Sequence, residues 1–191
     1  MRMLRTLGRL AGHEMRLYTS LALWLARRTQ GTAGGRGFGY MRGQAATMWG
    51  VAAVCVIETI GVSAMLRDMP TAHDVLLVLD LYTVLLVVGL HAACAVRPHV
   101  LTGEALRVRY GVHVDLRIPL GAIRAVHRET QLTHRPAGDV LDLAIGSRTS
   151  VRLELAEPVT HRSLLGRPRR VRTVRLHADD PGTLVQALTR A

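Results

Sequence analysis

The chain has no lysine, one phenylalanine and two cysteines, and each scarcity removes a class of reading. Without lysine, all 25 basic side chains are arginine, a bias that a GC-rich coding sequence explains, although guanidinium groups also suit phosphate contacts. Cys55 and Cys94 both fall in apolar runs, which argues against a zinc pattern and against a secreted disulfide scaffold. Aromatic residues make up 4% of the chain. They supply no stacking platform, so a net charge of +11 does not by itself indicate nucleic-acid binding. No serine sits in a nucleophile elbow, and neither a P-loop nor a dinucleotide fingerprint occurs. The nine histidines lack ligand spacing, and the best pair, His127 and His134, has no third partner. The expectation is a protein that is not an enzyme and takes no metal or cofactor.

What the chain has in quantity is apolar sequence, 49% of 191 residues. Two runs stand out, "AATMWGVAAVCVIETIGVSAML" at 45–66 and "VLLVLDLYTVLLVVGLHAACAV" at 75–96. Each reaches the ~20 residues needed to cross a hydrocarbon core. The first begins too far from residue 1 for a signal peptide. The short linker "RDMPTAHD" permits only an antiparallel hairpin. Residues 1–43 carry eight arginines against Glu14, the loop carries Arg67 against Asp68 and Asp74, and Arg97, Arg107 and Arg109 follow the second run. Positive charge stays cytoplasmic, so a multi-pass cell-membrane protein with both termini inside is expected. Phe38, Tyr40 and Trp49 then fall near the inner interface.

Each run contains one acid, Glu58 in the first and Asp80 in the second. An ionised carboxylate facing lipid costs at least ~2.5 kcal/mol, so these residues call for partners. At about 1.5 Å per residue they lie about 12 and about 7.5 Å from the loop, close enough to pair, with Thr59, Tyr82 and Thr83 as hydrogen-bonding neighbours. One reading is a neutral carboxyl holding the hairpin or a homo-oligomer together. The other is a proton- or cation-binding pair in a small subunit of an oligomeric transporter or channel. The same counting separates Cys55 and Cys94 by too much for a disulfide.

Ahead of the runs, Leu4, Leu7, Leu10, Leu17, Leu21 and Trp24 recur at helical spacing among arginines. Such a basic amphipathic helix either lies in the headgroup plane or packs on the C-terminal domain. "QGTAGGRGFG" then reads as a flexible connector, completing a segment over 1–43.

After residue 97 the period changes to two. Leu106, Val108 and Tyr110 share one face while Arg107 and Arg109 share the other, and Val114, Leu116 and Ile118 alternate with Asp115 and Arg117. Further strands are expected at "AIRAVHRE", "VLDLAIG", "SVRLELAE" and "VRTVRLHA". A final helix is capped by Asp180, opened by Pro181 and faces inward through Leu184, Val185 and Leu188. This order, carried by "VLTGEALRVRYG", "RIPLGAIRAV" and "ADDPGTLVQAL", resembles the bacterial pleckstrin-homology-like domains that follow transmembrane hairpins. With "FGY", "ET" and "RPHVL" around the runs, the whole chain is similar to a group of small actinobacterial integral membrane proteins. The resemblance implies an α+β membrane protein: a transmembrane hairpin over 44–96, then a cytoplasmic antiparallel barrel of about seven strands with a C-terminal helix over 97–191. It implies no chemistry. Eukaryotic relatives read phosphoinositides through a basic first hairpin, but here that loop is "LTGEAL", with Glu104 and no arginine.

The strongest surface feature is "HRSLLGRPRRVR", read as a loop and its flanks, with Arg162, Arg167, Arg169, Arg170 and Arg172 beside Leu164 and Leu165. Each arginine near an anionic leaflet contributes about 1 kcal/mol. The sequence therefore points to a membrane-anchored adaptor or scaffold. It meets the lipid bilayer, anionic headgroups and a membrane or cytoplasmic protein, or a second copy of itself, but not nucleic acid.

Overall fold

The structure is a computed structural model that describes residues 2–132, 138–162 and 168–191, with side chains of the first helix described at Gly12 and from Glu14 onward. Helix α1 (Arg2–Leu25) is followed by a short strand β1 (Arg36–Phe38) and two long helices, α2 (Arg42–Met65) and α3 (Pro70–Val96). Strands β2 (His99–Leu101), β3 (Ala105–Tyr110) and β4 (Val114–Pro119) lead through a 3-10 turn to β5 (Ile123–Gln131) and β6 (Val140–Leu143). Strands β7 (Thr149–Arg162) and β8 (Pro168–Leu176) and helix α4 (Pro181–Thr189) complete the chain.

Helices α2 and α3 are long and apolar enough to cross a membrane, and both begin earlier than the apolar runs. Pro70 opens α3 because its fixed φ suits the first turn and its missing N–H is an orphan there in any case. At α2, the first amide, Arg42 N–H, donates to Asp179 Oδ1 at 2.9 Å. The carboxylate that caps this helix therefore comes from the far end of the chain.

Helix α1, expected either in the headgroup plane or on the C-terminal domain, packs along α3. Tyr82 Oη donates to Glu14 at 2.7 Å, Leu17 seats against Gly89, and Trp24 sets its edge on His91 at 5.9 Å. These pairs ascend together in both helices, so α1 and α3 are parallel, and the first turns of α1 point toward the hairpin loop. Gly89 permits the contact because any side chain there would collide with Leu17.

The alternation in β3 and β4 is realised. Leu106, Val108, Leu116 and Ile118 are buried while Arg107, Asp115 and Arg117 are exposed. Gly111, at φ +50°, makes the turn between the two strands. Instead of one seven-stranded antiparallel barrel there are two four-stranded sheets, ordered β1-β2-β3-β4 and β5-β7-β8-β6. The glycine-rich connector supplies the extra strand: Arg36, Gly37 and Phe38 pair with Leu101, Val100 and His99. Strand β6 runs parallel to β8 and lies on the edge of β8 that faces away from β7. One hydrophobic cluster draws on both sheets, including Leu106, Val108 and Ile118 against Val151, Leu153 and Val174. Leu184 and Leu188 of α4 close it. The Asp180 cap is formed, accepting from Thr183 N–H at 3.0 Å.

The helices and the sheets meet at a buried polar knot. Tyr40 stacks on His99 at 4.7 Å, and its hydroxyl accepts the Gly111 N–H at 2.9 Å. His99 Nδ1 accepts the Arg109 N–H at 3.1 Å, so Nε2 carries the proton and donates to the His177 carbonyl at 3.0 Å. Burial pushes His99 down to about 4. The unfolded residue titrates near 6.5, so between these values the unfolded chain binds the extra proton. Stability is therefore complete above about pH 6.5 and falls as pH drops toward about 4, by on the order of 3 kcal/mol from this residue. Thermal unfolding of the detergent-solubilised chain should show that slope, and His99→Gln, which can keep both hydrogen bonds without titrating, should flatten it. An unchanged slope would show that other groups set the acid limit.

Candidate functional site

The basic segment is built differently from a loop. β7 runs as far as Arg162 and β8 starts at Pro168, so the arginines ride on a two-stranded arm. Ser163, Leu164, Leu165, Gly166 and Arg167 lie outside the described residues. In the arm, Thr160 faces Arg170, His161 faces Arg169 and Arg162 faces Pro168. Strand alternation puts Arg162 and Arg170 on one side of the ribbon, and both are exposed, as is Arg172. Arg169 is on the opposite side and does something else. Its Nε and Nη2 donate to the carbonyls of Gly138 at 2.9 Å and Val140 at 2.8 Å, holding the start of β6. Burial, then Arg169, lowers the pKa of His161, so the charge of the arm at neutral pH comes from guanidinium groups.

The two acids of the helices are not joined by any hydrogen bond or ion pair among the described residues. Glu58 is exposed on α2, as are Val54 and Ile57, and Asp80 is half-buried on α3. Because α3 starts at Pro70, Asp80 sits about 15 Å from the loop end and Glu58 about 10 Å. Their expected neighbours are engaged elsewhere. The hydroxyls of Thr59 and Thr83 donate to carbonyls of their own helices, at 2.8 and 2.9 Å, and Tyr82 donates to Glu14. Cys55 and Cys94 are free thiols. Among the described residues no three His, Cys, Asp or Glu side chains converge, and His134 lies outside them.

Two features went unanticipated. Trp24, Trp49 and His91 gather where α1, α2 and α3 meet, with centroids 5.4 to 6.1 Å apart. At the foot of α3, a group of arginines crowds the outer face of the first sheet. Arg107 forms a bidentate pair with Asp115, both contacts at 2.6 Å. Arg109 was expected to share its solvent face, but it is 4% exposed because residues 30 and 31 fold over it, Nη1 donating to the Gln30 carbonyl at 2.6 Å. The period-two pattern placed both arginines on one face; the covering segment, having no pattern of its own, gave no sign. A cleft of about 590 Å³ opens on this face between Gly31, Ala33, Arg107, Asp115 and Arg117.

The chain matches no protein-family model, no curated protein and no solved structure.

Because Arg169 braces β6, Arg169→Ala should lower stability to denaturant by about 1 kcal/mol. Arg170→Ala should stay within roughly 0.5 kcal/mol of wild type. Equal effects would show that the two side chains share one role. Glu58→Gln should leave expression, assembly and function intact, as for a neutral hydrogen-bonding group. Lost function with expression intact would instead make the carboxyl a proton or cation site.

Proposed function

We propose that the protein is a membrane-anchored adaptor, with α2 and α3 crossing the bilayer as a hairpin and both termini on the cytoplasmic side. Its two-sheet domain, of the pleckstrin-homology-like kind, presents the basic arm to a protein or to the anionic lipid surface. One observation carries this reading. The most apolar stretches of α2 and α3 are only 6% and 17% buried within the chain. Val54, Ile57, Ile60, Val78, Leu79 and Leu81 are among the large side chains left exposed. A face of that extent exceeds the apolar patches that monomeric soluble proteins show to water, and hydrocarbon is the solvent that suits it. The β domain supports the adaptor part of the reading, because its core is complete and its arm projects charge. The arginines of residues 1–43 favour the cytoplasmic surface, so this reading needs the first half of α1 to leave α3, on which it is docked pointing toward the hairpin loop.

Cysteine labelling tests the topology in a background where Cys55 and Cys94 are replaced by alanine. A cysteine at Thr71, in the first turn of α3, should react with an impermeant thiol reagent outside intact cells. Cysteines at exposed Ala156 and at Thr6 should not react. Labelling at Ala156 would put the β domain outside, and labelling at Thr6 would make α1 a third crossing.

A further inference from the structure

Three guanidinium groups at the foot of α3 share a single carboxylate, that of Asp115. Arg97 is the residue immediately after α3, Arg107 and Arg109 project from β3, and the charge of Arg16, on α1, is felt at Arg97. Both oxygens of Asp115 are held by Arg107. Asp115 Oδ1 stands 3.9 Å from Arg109 Nε, beyond hydrogen-bond reach. Arg97 makes no hydrogen bond or ion pair among the described residues. The Nε–H groups of Arg97 and Arg109 are both buried without an acceptor. Burial lowers the pKa of both side chains, and neighbouring arginines lower it further: Arg16 and Arg107 act on Arg97, and Arg107 and Arg97 on Arg109. Desolvated donors without acceptors are costly, and so is a buried charge without a counter-charge. A second carboxylate would have answered both needs, but none of the described acids besides Asp115 approaches the group closely enough to act on Arg97 or Arg109.

We propose that Arg97, flanked by Arg107 and Arg109, binds a phosphoryl group, supplied by an anionic lipid headgroup at the cytoplasmic foot of α3. A phosphate accepts parallel hydrogen bonds from a guanidinium fork and brings the missing negative charge. Arg97 follows the last residue of α3 directly, which is the level of the headgroup phosphates if that helix spans. The choice of a lipid as the source rests on the membrane reading above; the phosphoryl chemistry does not. This site is separate from the β7–β8 arm and shares no residue with it.

The test is native mass spectrometry of the full chain in uncharged detergent, titrated with phosphatidylglycerol and with phosphatidylcholine, whose ammonium group neutralises its own phosphate. Wild type should prefer phosphatidylglycerol. Arg97→Gln should weaken that binding by about tenfold, as expected for one charge-assisted contact, while Arg97→Lys keeps part of it. Arg16→Gln should weaken it less, and Arg170→Ala, on the distant arm, should leave it unchanged. Circular dichroism verifies that each variant is folded. Displacement of the lipid by millimolar inorganic phosphate would keep the site and move its occupant to solution. Equal binding of the two lipids, or an Arg97→Gln protein indistinguishable from wild type, would overturn the proposal. Release of the chain from membranes by alkaline carbonate would sink the anchor instead, and inorganic phosphate would then probe the site on the soluble chain.

Discussion

Where a helix of apolar residues gives way to sheet, backbone groups lose their repeating partners within a few residues and must find others out of water. This chain meets that demand with a histidine held uncharged. His99 serves as acceptor to β3 through Nδ1 and as donor, through Nε2, to the residue just after β8, with Tyr40 stacked on its ring. A neutral imidazole offers one donor and one acceptor on opposite sides, which a carboxylate or a guanidinium does not. The Tyr40 hydroxyl satisfies Gly111 in the adjoining turn, so one stacked pair closes several backbone accounts at once. The register of β2 on β3, and with it the placement of every arginine on the outer face, follows from that arrangement.

The same junction governs the electrostatics. The β domain keeps its acids close to particular arginines, as in the Arg107–Asp115 and Arg152–Glu129 pairs, and leaves others unbalanced. Exposed pairs of this kind contribute little to stability, roughly 0–1 kcal/mol each. Their effect is on where the uncompensated charge lies: on one side of the β7–β8 arm, and at the foot of α3.

Much of the architecture was legible in the sequence, for reasons that differ by element. The two long helices are readable because run length alone separates them from core helices of ordinary size. Strands β3 and β4 are readable because each has one dry and one wet face, so their side chains alternate. Helix α4 announces itself through Asp180 and Pro181. β1 was hidden, since three residues cannot display a period and glycines on either side suggest a connector. Arg109 illustrates the limit of alternation, which assigns a face but cannot tell whether another segment will cover it. The parallel pairing of β6 with β8 joins segments distant in the chain, a property of the assembled sheet that local alternation does not carry. The basic site was legible as composition and illegible as geometry, because the separate role of Arg169 arises only from the carbonyls of Gly138 and Val140 across the sheet.

Strand β1 changes what kind of object the helical hairpin is. β1 and β2 are antiparallel neighbours in one sheet, and everything between them, residues 39–98, is topologically the loop of that pair. The amino-terminal side of that loop is held again where Asp179 grips the first turn of α2. The two helices are thus clamped at their base by a sheet, as the arms of tweezers are clamped at the spring. A change in the angle between them cannot be absorbed by slack linkers. It reaches the sheet as shear between β1 and β2, the shortest strands among the described residues, and as tension on Asp179, next to the cap of α4.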